Sequence, residues 1–545
     1  MSEPRLSRPR GFALALLTAA LMRLALPPYD VPALVFVAWA PLLWVCRRST
    51  TRDAAAFGFV AGFGLNFVAH GWLVGVLQRN AGNPALQGLL ALSAVATVGG
   101  LRTALVAALV SRACARRLPI WLSFPVFQVL LDLAMPALFP WTMALAVHTT
   151  PVWAQLARLG GTAAVSLWLG ATNALVVEAV DGLVARRAAP VIARSVAATV
   201  GLLLVVTSYG SWSIARETHR AQVAPRLRIS IGHLTSLHEA GDELSALRDR
   251  ELELQQVAGD SDVAIWPEGT SSTPIQLGQI GRIARDYWQR NRAAALSAPP
   301  LHSELLLGSL VEQPDGLENA ALLVAPGGEL QGRYVKRRLM PLGEMSALVG
   351  LLGPPVTSFR AGEPLPRLSI HGHPIATSIC FEDLFADDVR EEVVRVSGEL
   401  LVNLTSDRWF RGTSAVDFHF ALAKMRAIEE GKYLVRATRD GVSGVVDSTG
   451  AVVERMAANR SAVARVDVPM LRGQTPYTWL ADWLNAAVYV GAMLLFWACF
   501  QPRSRPPRSL RKSRFSATRA AANPPIARQP RGAGQEAVPN EGAGR

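Results

Sequence analysis

The stretch from Ala85 to Arg112, ALQGLLALSAVATVGGLRTALVAALVSR, holds a single charge, Arg102, before its closing arginine. A bilayer core needs about 20 consecutive apolar residues in a helix, so this stretch reads as a membrane span. Six more apolar runs surround it, at about 11–27, 31–46, 54–78, 120–144, 153–184 and 190–214, and an eighth lies at about 480–500. Of the 545 residues, 50% are hydrophobic and 18% charged, against about a quarter charged in an ordinary soluble domain. That excludes a disordered or fibrous chain and a purely soluble one. Arg23, Arg102 and Arg158 interrupt the runs, each toward one end, where a long side chain can snorkel. Pro27-Pro28-Tyr29-Asp30 reads as a tight turn at a membrane face.

The formal charge is 55 − 42 = +13, but residues 502–545 hold ten Lys/Arg and two Glu, which is +8 of it. The rest is near balance, so the basic excess does not argue for nucleic-acid binding. The tail is rich in Pro, Arg, Gly and Ala and reads as disordered. Arginine clusters precede the first run and follow the second, fourth and sixth; the turns after the first and fifth have none. By the positive-inside rule, both termini are cytoplasmic and the segment between the seventh and eighth runs lies outside. The chain divides into a cytoplasmic segment 1–10, a seven-helix domain 11–215, a soluble domain 222–478, a closing span 480–500 and a basic tail 501–545. Cys46, Cys114 and Cys499 fall at cytoplasmic ends of spans; Cys380 lies alone in the outer segment. It is either a thiol in use or a small buried hydrophobe.

Within 222–478, short β-rich stretches alternate with helical patterns such as 237–257 and 415–431, which argues for an α/β fold. Three stretches carry chemistry. Val263-Ala264-Ile265-Trp266-Pro267-Glu268 puts a carboxylate just past a strand. Tyr334-Val335-Lys336 puts an amine past a second, and Thr377-Ser378-Ile379-Cys380-Phe381-Glu382-Asp383 a thiol past a third. In α/β folds ligands sit beyond the carboxyl ends of strands, so strands sharing one sheet would let the three side chains meet. A thiol needs deprotonation to attack, which a nearby Glu can accept and a Lys cation favours. The same Lys can then stabilise the oxyanion of a tetrahedral intermediate.

Trp-Pro-Glu, Lys336-x-x-Leu339-x-Pro341-x-Gly343-Glu344 and Ile379-Cys380-Phe381-Glu382-Asp383 resemble the Glu-Lys-Cys segments of the nitrilase (carbon–nitrogen hydrolase) superfamily. With the spans, and with Pro28-Tyr29-Asp30, Ala61-Gly62-Phe63-Gly64 and Phe139-Pro140-Trp141, the chain resembles its membrane branch, the bacterial apolipoprotein N-acyltransferases. That resemblance implies about eight transmembrane helices and a nitrilase-like αββα sandwich outside the inner membrane, in the periplasm. It implies transfer of an acyl chain from a phospholipid, through a Cys380 thioester, to the α-amine of a diacylglyceryl lipoprotein. Glu268 would be the base and Lys336 the oxyanion partner, with Glu344 and Glu382 orienting them and no metal or organic cofactor. Phe381, Trp409 and Phe410 would touch substrate. The apolar stretch Met345–Pro355, with Leu351 and Leu352, is expected to be an arm that dips into lipid or gates acyl entry. The rival readings are a membrane-anchored amidase cleaving a C–N bond and a non-catalytic membrane scaffold.

The chain departs from the family at Gly232-His233-Leu234, at Arg411 and at Arg439-Asp440, which puts the rim of the site in question rather than the triad. Asn66, His70 and Asp132 are polar groups inside runs, where interhelical hydrogen bonding competes with a role at the outer face. His371 and His373 flank a glycine without a third ligand, a weak metal pattern.

Overall fold

A computed structural model describes residues 6–81, 84–135, 137, 139–186, 188–235, 261–270, 274–276, 303–314, 316–340, 344, 359–363, 367–458 and 460–502. The 237–257 pattern, the Met345–Pro355 stretch and nearly all of the tail lie outside them.

The apolar runs fold as helices: α1 (Arg8–Ala25), α2 (Ala40–Arg48), α3 (Thr51–Ala69), α4 (Trp72–Ala81), α5 (Ala85–Ala115), α6 (Ile120–Ala134), α7 (Pro151–Ala154), α8 (Ala157–Val184), α9 (Ala189–Val223) and a closing helix Pro476–Phe500. Among the described residues four are long and apolar enough to cross a membrane, namely α5, α8, α9 and the closing helix. The α3–α4 pair, bent by 45°, makes a fifth if it is one span. The first run is one unbroken helix, α1, that carries Arg8, Arg10 and Arg23, whereas the runs at 31–46 and 120–144 are interrupted. Run 31–46 breaks into a 3-10 turn, Pro32–Phe36, and the nine-residue α2, each with proline in its first turn. Proline suits a helix start and ends what precedes it. In the run at 120–144 the α-helix ends at Ala134, and a 3-10 turn, Met143–Val147, begins at the far end.

Arg23, Arg102 and Arg158, which interrupt the runs, are each held by a partner. Arg23 donates to the Pro27 carbonyl at 2.6 Å and stacks on Tyr29. Arg102 pairs with Asp132 at 3.0 Å, and Arg158 with Glu217 at 2.8 Å. At the other end of α8, buried Asp181 takes Arg47 and Arg48, both at 2.7 Å. In low dielectric a paired charge costs far less than a lone one, so these pairs tie helices together.

The α/β part is two sheets. One runs β13-β1-β2-β3-β4-β5, with β6 beside β4; the other runs β12-β11-β10-β9-β8-β7. The strands are β1 (Arg226–His233), β2 (Val263–Trp266), β3 (Glu304–Gln313), β4 (Gly316–Val324), β5 (Leu330–Val335), β6 (Phe359–Arg360), β7 (Leu368–Ile370), β8 (His373–Ile379), β9 (Leu400–Ser406), β10 (Leu434–Arg439), β11 (Gly444–Val446), β12 (Val452–Arg455) and β13 (Ala462–Pro469). Strands β1, β2 and β3 are parallel, as are β8, β9 and β10. Ile229, Ile231, Val263, Ile265 and Leu323 of one sheet pack on Ile375, Val402, Leu404 and Val435 of the other. Near-continuous apolar strands such as Leu400-Leu401-Val402 suit this two-sided burial.

The helix Ala415–Glu430 has the helical register its sequence predicts, but every residue of it except Asp417 is buried. It is packed on both sides, sharing a core with Phe381, Leu384 and Leu401 and with the helices of the apolar runs. Its charged residues therefore find partners across the boundary. Lys424 donates to the His148 carbonyl at 2.9 Å, Glu429 accepts from the Thr162 amide at 3.0 Å, and Glu430 accepts from the Thr478 hydroxyl at 3.2 Å. The α/β domain is clamped to the helices by buried polar bonds, each costly to leave unmade.

Candidate active site

Glu268 and Lys336 follow β2 and β5 of one sheet, whereas Cys380 follows β8 of the other. The expectation that the three strands share a sheet is corrected: the groups converge because two sheets pack face to face. The antiparallel β3–β4 and β4–β5 pairings point β5 the same way as β2, so both carboxyl ends lie on one edge.

Lys336 Nζ lies 3.5 Å from Glu268 Oε1 and 2.9 Å from Glu344 Oε1, its side chain only 2% exposed. Asn319 of β4 bridges the two carboxylates, donating from Nδ2 at 2.6 Å to Glu268 and 3.1 Å to Glu344. The Lys336 backbone is pinned too, its N–H to the Asn319 carbonyl and its carbonyl to the Gly362 N–H, both at 2.8 Å. Burial pushes the Lys336 ammonium down, but Glu268, Cys380 and Glu344 outweigh it and hold the pKa above the ordinary lysine value. The amine stays charged. Behind Glu268, Gly308 is a close-approach position: a Cβ there would sit 2.6 Å from Glu268 Cα.

Cys380 opens a tight 3-10 turn, Cys380–Leu384, at φ 51°, in the left-handed region that a residue with a Cβ occupies only at a cost of order 1–2 kcal/mol. Its Sγ faces the Ser406 carbonyl at 3.9 Å. Burial, then the Glu268 charge, push the thiol pKa above its ordinary value, and Lys336 acts against them. A thiol in this setting rests protonated beside a carboxylate able to take its proton and a cation able to stabilise the thiolate.

Glu382 does not point at the reacting groups; it ties the lysine loop to the cysteine turn. It accepts from the amides of Ile379 (2.7 Å), Arg337 (2.6 Å) and Arg338 (3.0 Å) and from the Tyr334 hydroxyl (2.9 Å). Burial pushes its carboxyl up to about 7 in spite of those donors. Glu382→Gln keeps the size but turns an amide group on donors. One or two buried N–H groups left unmade cost about 1–3 kcal/mol each, so the melting temperature is expected to fall by about 2–4 °C per kcal/mol. Differential scanning fluorimetry checks this.

The residues expected to touch substrate divide. Phe381 and Phe410 are buried, in an aromatic group with Phe139 and with Trp72 at the α3–α4 bend; Phe139 stands 6.5 Å from Phe381 and 5.8 Å from Phe410, and Trp72 5.4 Å from Phe410. They join the cysteine turn to the helices. Trp409 is 38% exposed. Leu351 and Leu352 fall outside the described residues. A cavity of about 920 Å³ opens beside Phe381, Glu382, Tyr334, Arg337 and Ala137.

The family departures have structural partners. Gly232 faces the Trp266 ring, where a Cβ would come within 2.4 Å. His233 bonds Ser443 at 2.8 Å, and Arg411 lies 3.8 Å from Asp440, so two of the departures pair with each other. His373 bonds Glu399 at 2.6 Å. Sequence reasoning missed Asn319; the signal is a lone amide in the apolar strand Leu317–Val324. It missed the polar group under Cys380 as well: His419, Asp407 and Arg436.

Residues 18–175 match the family model for the apolipoprotein N-acyltransferase N-terminal domain, and residues 292–476 that for carbon–nitrogen hydrolases. The chain is similar to an apolipoprotein N-acyltransferase of Geobacter metallireducens, 28% identical over 515 residues, covering 91% of this chain and 96% of that one. It is similar to another of Azotobacter vinelandii, 29% identical over 522 residues with the same two shares. Among solved structures it aligns with an amidase from Nesterenkonia sp. at 22% identity and TM-score 0.32, over 47% of this chain and 93% of that one.

Proposed function

The chain belongs to the apolipoprotein N-acyltransferase family, and from that premise we propose that it carries a phospholipid acyl chain on Cys380 to the α-amine of a diacylglyceryl lipoprotein. The observation that carries the reading is Lys336, held between Glu268 and Glu344 and acting with Glu268 on the Cys380 thiol.

In the first half-reaction the Sγ proton passes to Glu268 and sulfur attacks the ester carbonyl. The oxyanion forms against the Lys336 ammonium. Collapse breaks the ester C–O bond, the leaving alkoxide takes the proton from Glu268, and a lysophospholipid departs. In the second, the neutral α-amine attacks the thioester and gives a proton to Glu268. The C–S bond breaks and the thiolate recovers that proton. Glu344 and Asn319 hold Lys336 and Glu268 in place throughout.

The membrane setting follows from the substrates, because drawing an acyl chain into water costs about 0.8 kcal/mol per CH₂. We extend the reading to an eight-span arrangement in the bacterial inner membrane, with the catalytic domain periplasmic and both termini cytoplasmic. The arginine placement and the aromatic contact of Phe381 with Phe139 support it.

The test is intact-mass and peptide analysis of the purified protein after incubation with phospholipid vesicles. One acyl group on the Cys380 peptide, lost on adding a diacylglyceryl-cysteine lipopeptide that becomes N-acylated, is the expected result. Hydrolysis of the thioester with no transfer to amine would favour the amidase reading. The Met345–Pro355 arm stays a proposal. Leu351→Asp with Leu352→Asp is expected to slow thioester formation by about tenfold or more, as two charges cannot enter lipid cheaply, with an unchanged melting temperature.

A further inference from the structure

We propose that His419 is a positioning residue, clamping the turn that carries Cys380 against the loop that receives its sulfur, with Arg436 as its partner. His419 sits on the helix Ala415–Glu430 and is 1% exposed. Its Nε2 lies 2.9 Å from Asp383 Oδ1 and its Nδ1 2.7 Å from Asp407 Oδ1. Asp383 belongs to the cysteine turn. Asp407 directly follows Ser406, whose carbonyl faces Sγ. Carboxylates only accept, so an imidazole that satisfies both must carry a proton on each nitrogen.

Arg436 of β10, fully buried, repeats the bridge. It donates to Asp383 and, at 3.4 Å, to Asp407, and at 2.7 Å to Asn403 Oδ1. Asn403 Nδ2 in turn donates to Ser378 Oγ at 3.0 Å and to the Cys380 carbonyl at 3.4 Å. The charged groups facing His419 are thus Asp383, Asp407 and Arg436, two cations against two carboxylates. Burial and Arg436 push the imidazole pKa down, yet the two aspartates raise it to about 9, so the clamp stays charged at neutral pH.

The clamp answers a need set by the turn. Cys380 occupies a left-handed conformation, which persists only where its surroundings hold it. Asp407 also raises the thiol pKa. Removing the His419 charge bares that carboxylate and leaves the turn less restrained, so the thiolate becomes harder to form.

The inference rests on Cys380 being the nucleophile, and its test separates the two claims. In the full-length protein, His419→Gln is compared with the charge-balanced pair Asp383→Asn/His419→Gln. Three quantities are read: melting temperature, the pH profile of iodoacetamide alkylation at Cys380 by peptide mass, and Cys380 thioester formation from phospholipid vesicles. The expected result is an alkylation profile moved to higher pH and thioester formation at least tenfold slower. In the balanced pair both defects persist while the melting temperature recovers. Wild-type alkylation and acylation in either folded variant would overturn the inference. So would full recovery of both in the balanced pair, or failure of that pair to fold, since either makes the group a charge balance or a fold element. If wild-type protein takes no acyl group but His419→Gln still shifts alkylation, the transfer reading fails and the clamp stands.

Discussion

Cys380→Ala is expected to abolish acyl transfer, lowering it by on the order of 10⁴-fold or more, and to leave no acyl adduct on the protein. The other groups of the site stay in place in that variant, but none is a nucleophile. Lys336 is protonated and locked between two carboxylates, and the role proposed for Glu268 is that of a base. The fold is expected to survive. Sγ makes one weak contact, 3.9 Å from the Ser406 carbonyl, and losing one buried atom costs on the order of 1 kcal/mol. Cys380→Ser separates nucleophile strength from shape. A hydroxyl fits the same turn, but its much higher pKa leaves it un-ionised beside Glu268, so it is expected to fail as completely. Mass analysis of a lipopeptide acceptor measures both variants. Transfer by Cys380→Ser at more than about a hundredth of the wild-type rate would exclude the thioester route.

Lys336→Met is expected to have the second largest effect, on the order of 10³-fold in thioester formation. Removing one group aimed at a developing oxyanion costs about 10²–10³-fold. The rest comes from the carboxylates it leaves behind. Glu268 and Glu344 share the Asn319 amide within 3.1 Å, and without the cation between them the two carboxylates repel and Glu268 loses the partner that positions it. Breaking a buried pair by deleting one partner costs about 3–5 kcal/mol, so the melting temperature falls as well. Lys336→Arg is not expected to rescue. The site holds a point charge at 2.9 and 3.5 Å from two separate oxygens, and a planar fork does not fit that arrangement. Single-turnover acylation by quenched mass analysis, beside the melting temperature, separates the two losses.

The helices and most strands of this chain are legible in its sequence because they follow local rules. Apolar runs become helices, broken in places as at the α3–α4 bend and after Ala134, and short β-branched runs between turn residues become strands. Two features went unread for local reasons. Ala462–Pro469 alternates apolar residues with Arg465 and Asp467, and takes its place only as the antiparallel partner of β1. The run at 31–46 looks continuous in hydropathy, but prolines at its two helix starts divide it.

Glu268, Lys336 and Cys380 stand out in the sequence as candidates because each lies just past a strand and their segments together resemble the Glu-Lys-Cys segments of the nitrilase superfamily. What surrounds them was not. The bridge through Asn319, the cross-brace of Glu382 on Tyr334 and the lysine loop, and the clamp of His419 and Arg436 on Asp383 and Asp407 join residues 12 to 53 positions apart. A histidine in a helix or an arginine in a strand reads as a surface group until packing buries it. Only then does the low dielectric decide that its charge must be met, and by which neighbour. Sequence alone made legible the residue types that follow each strand and the apolar runs that become helices, since both follow from residue type and local pattern. Tertiary structure decided that Cys380 comes from the opposite sheet to Glu268 and Lys336, and which buried charges surround its turn, because those depend on which surfaces close on one another.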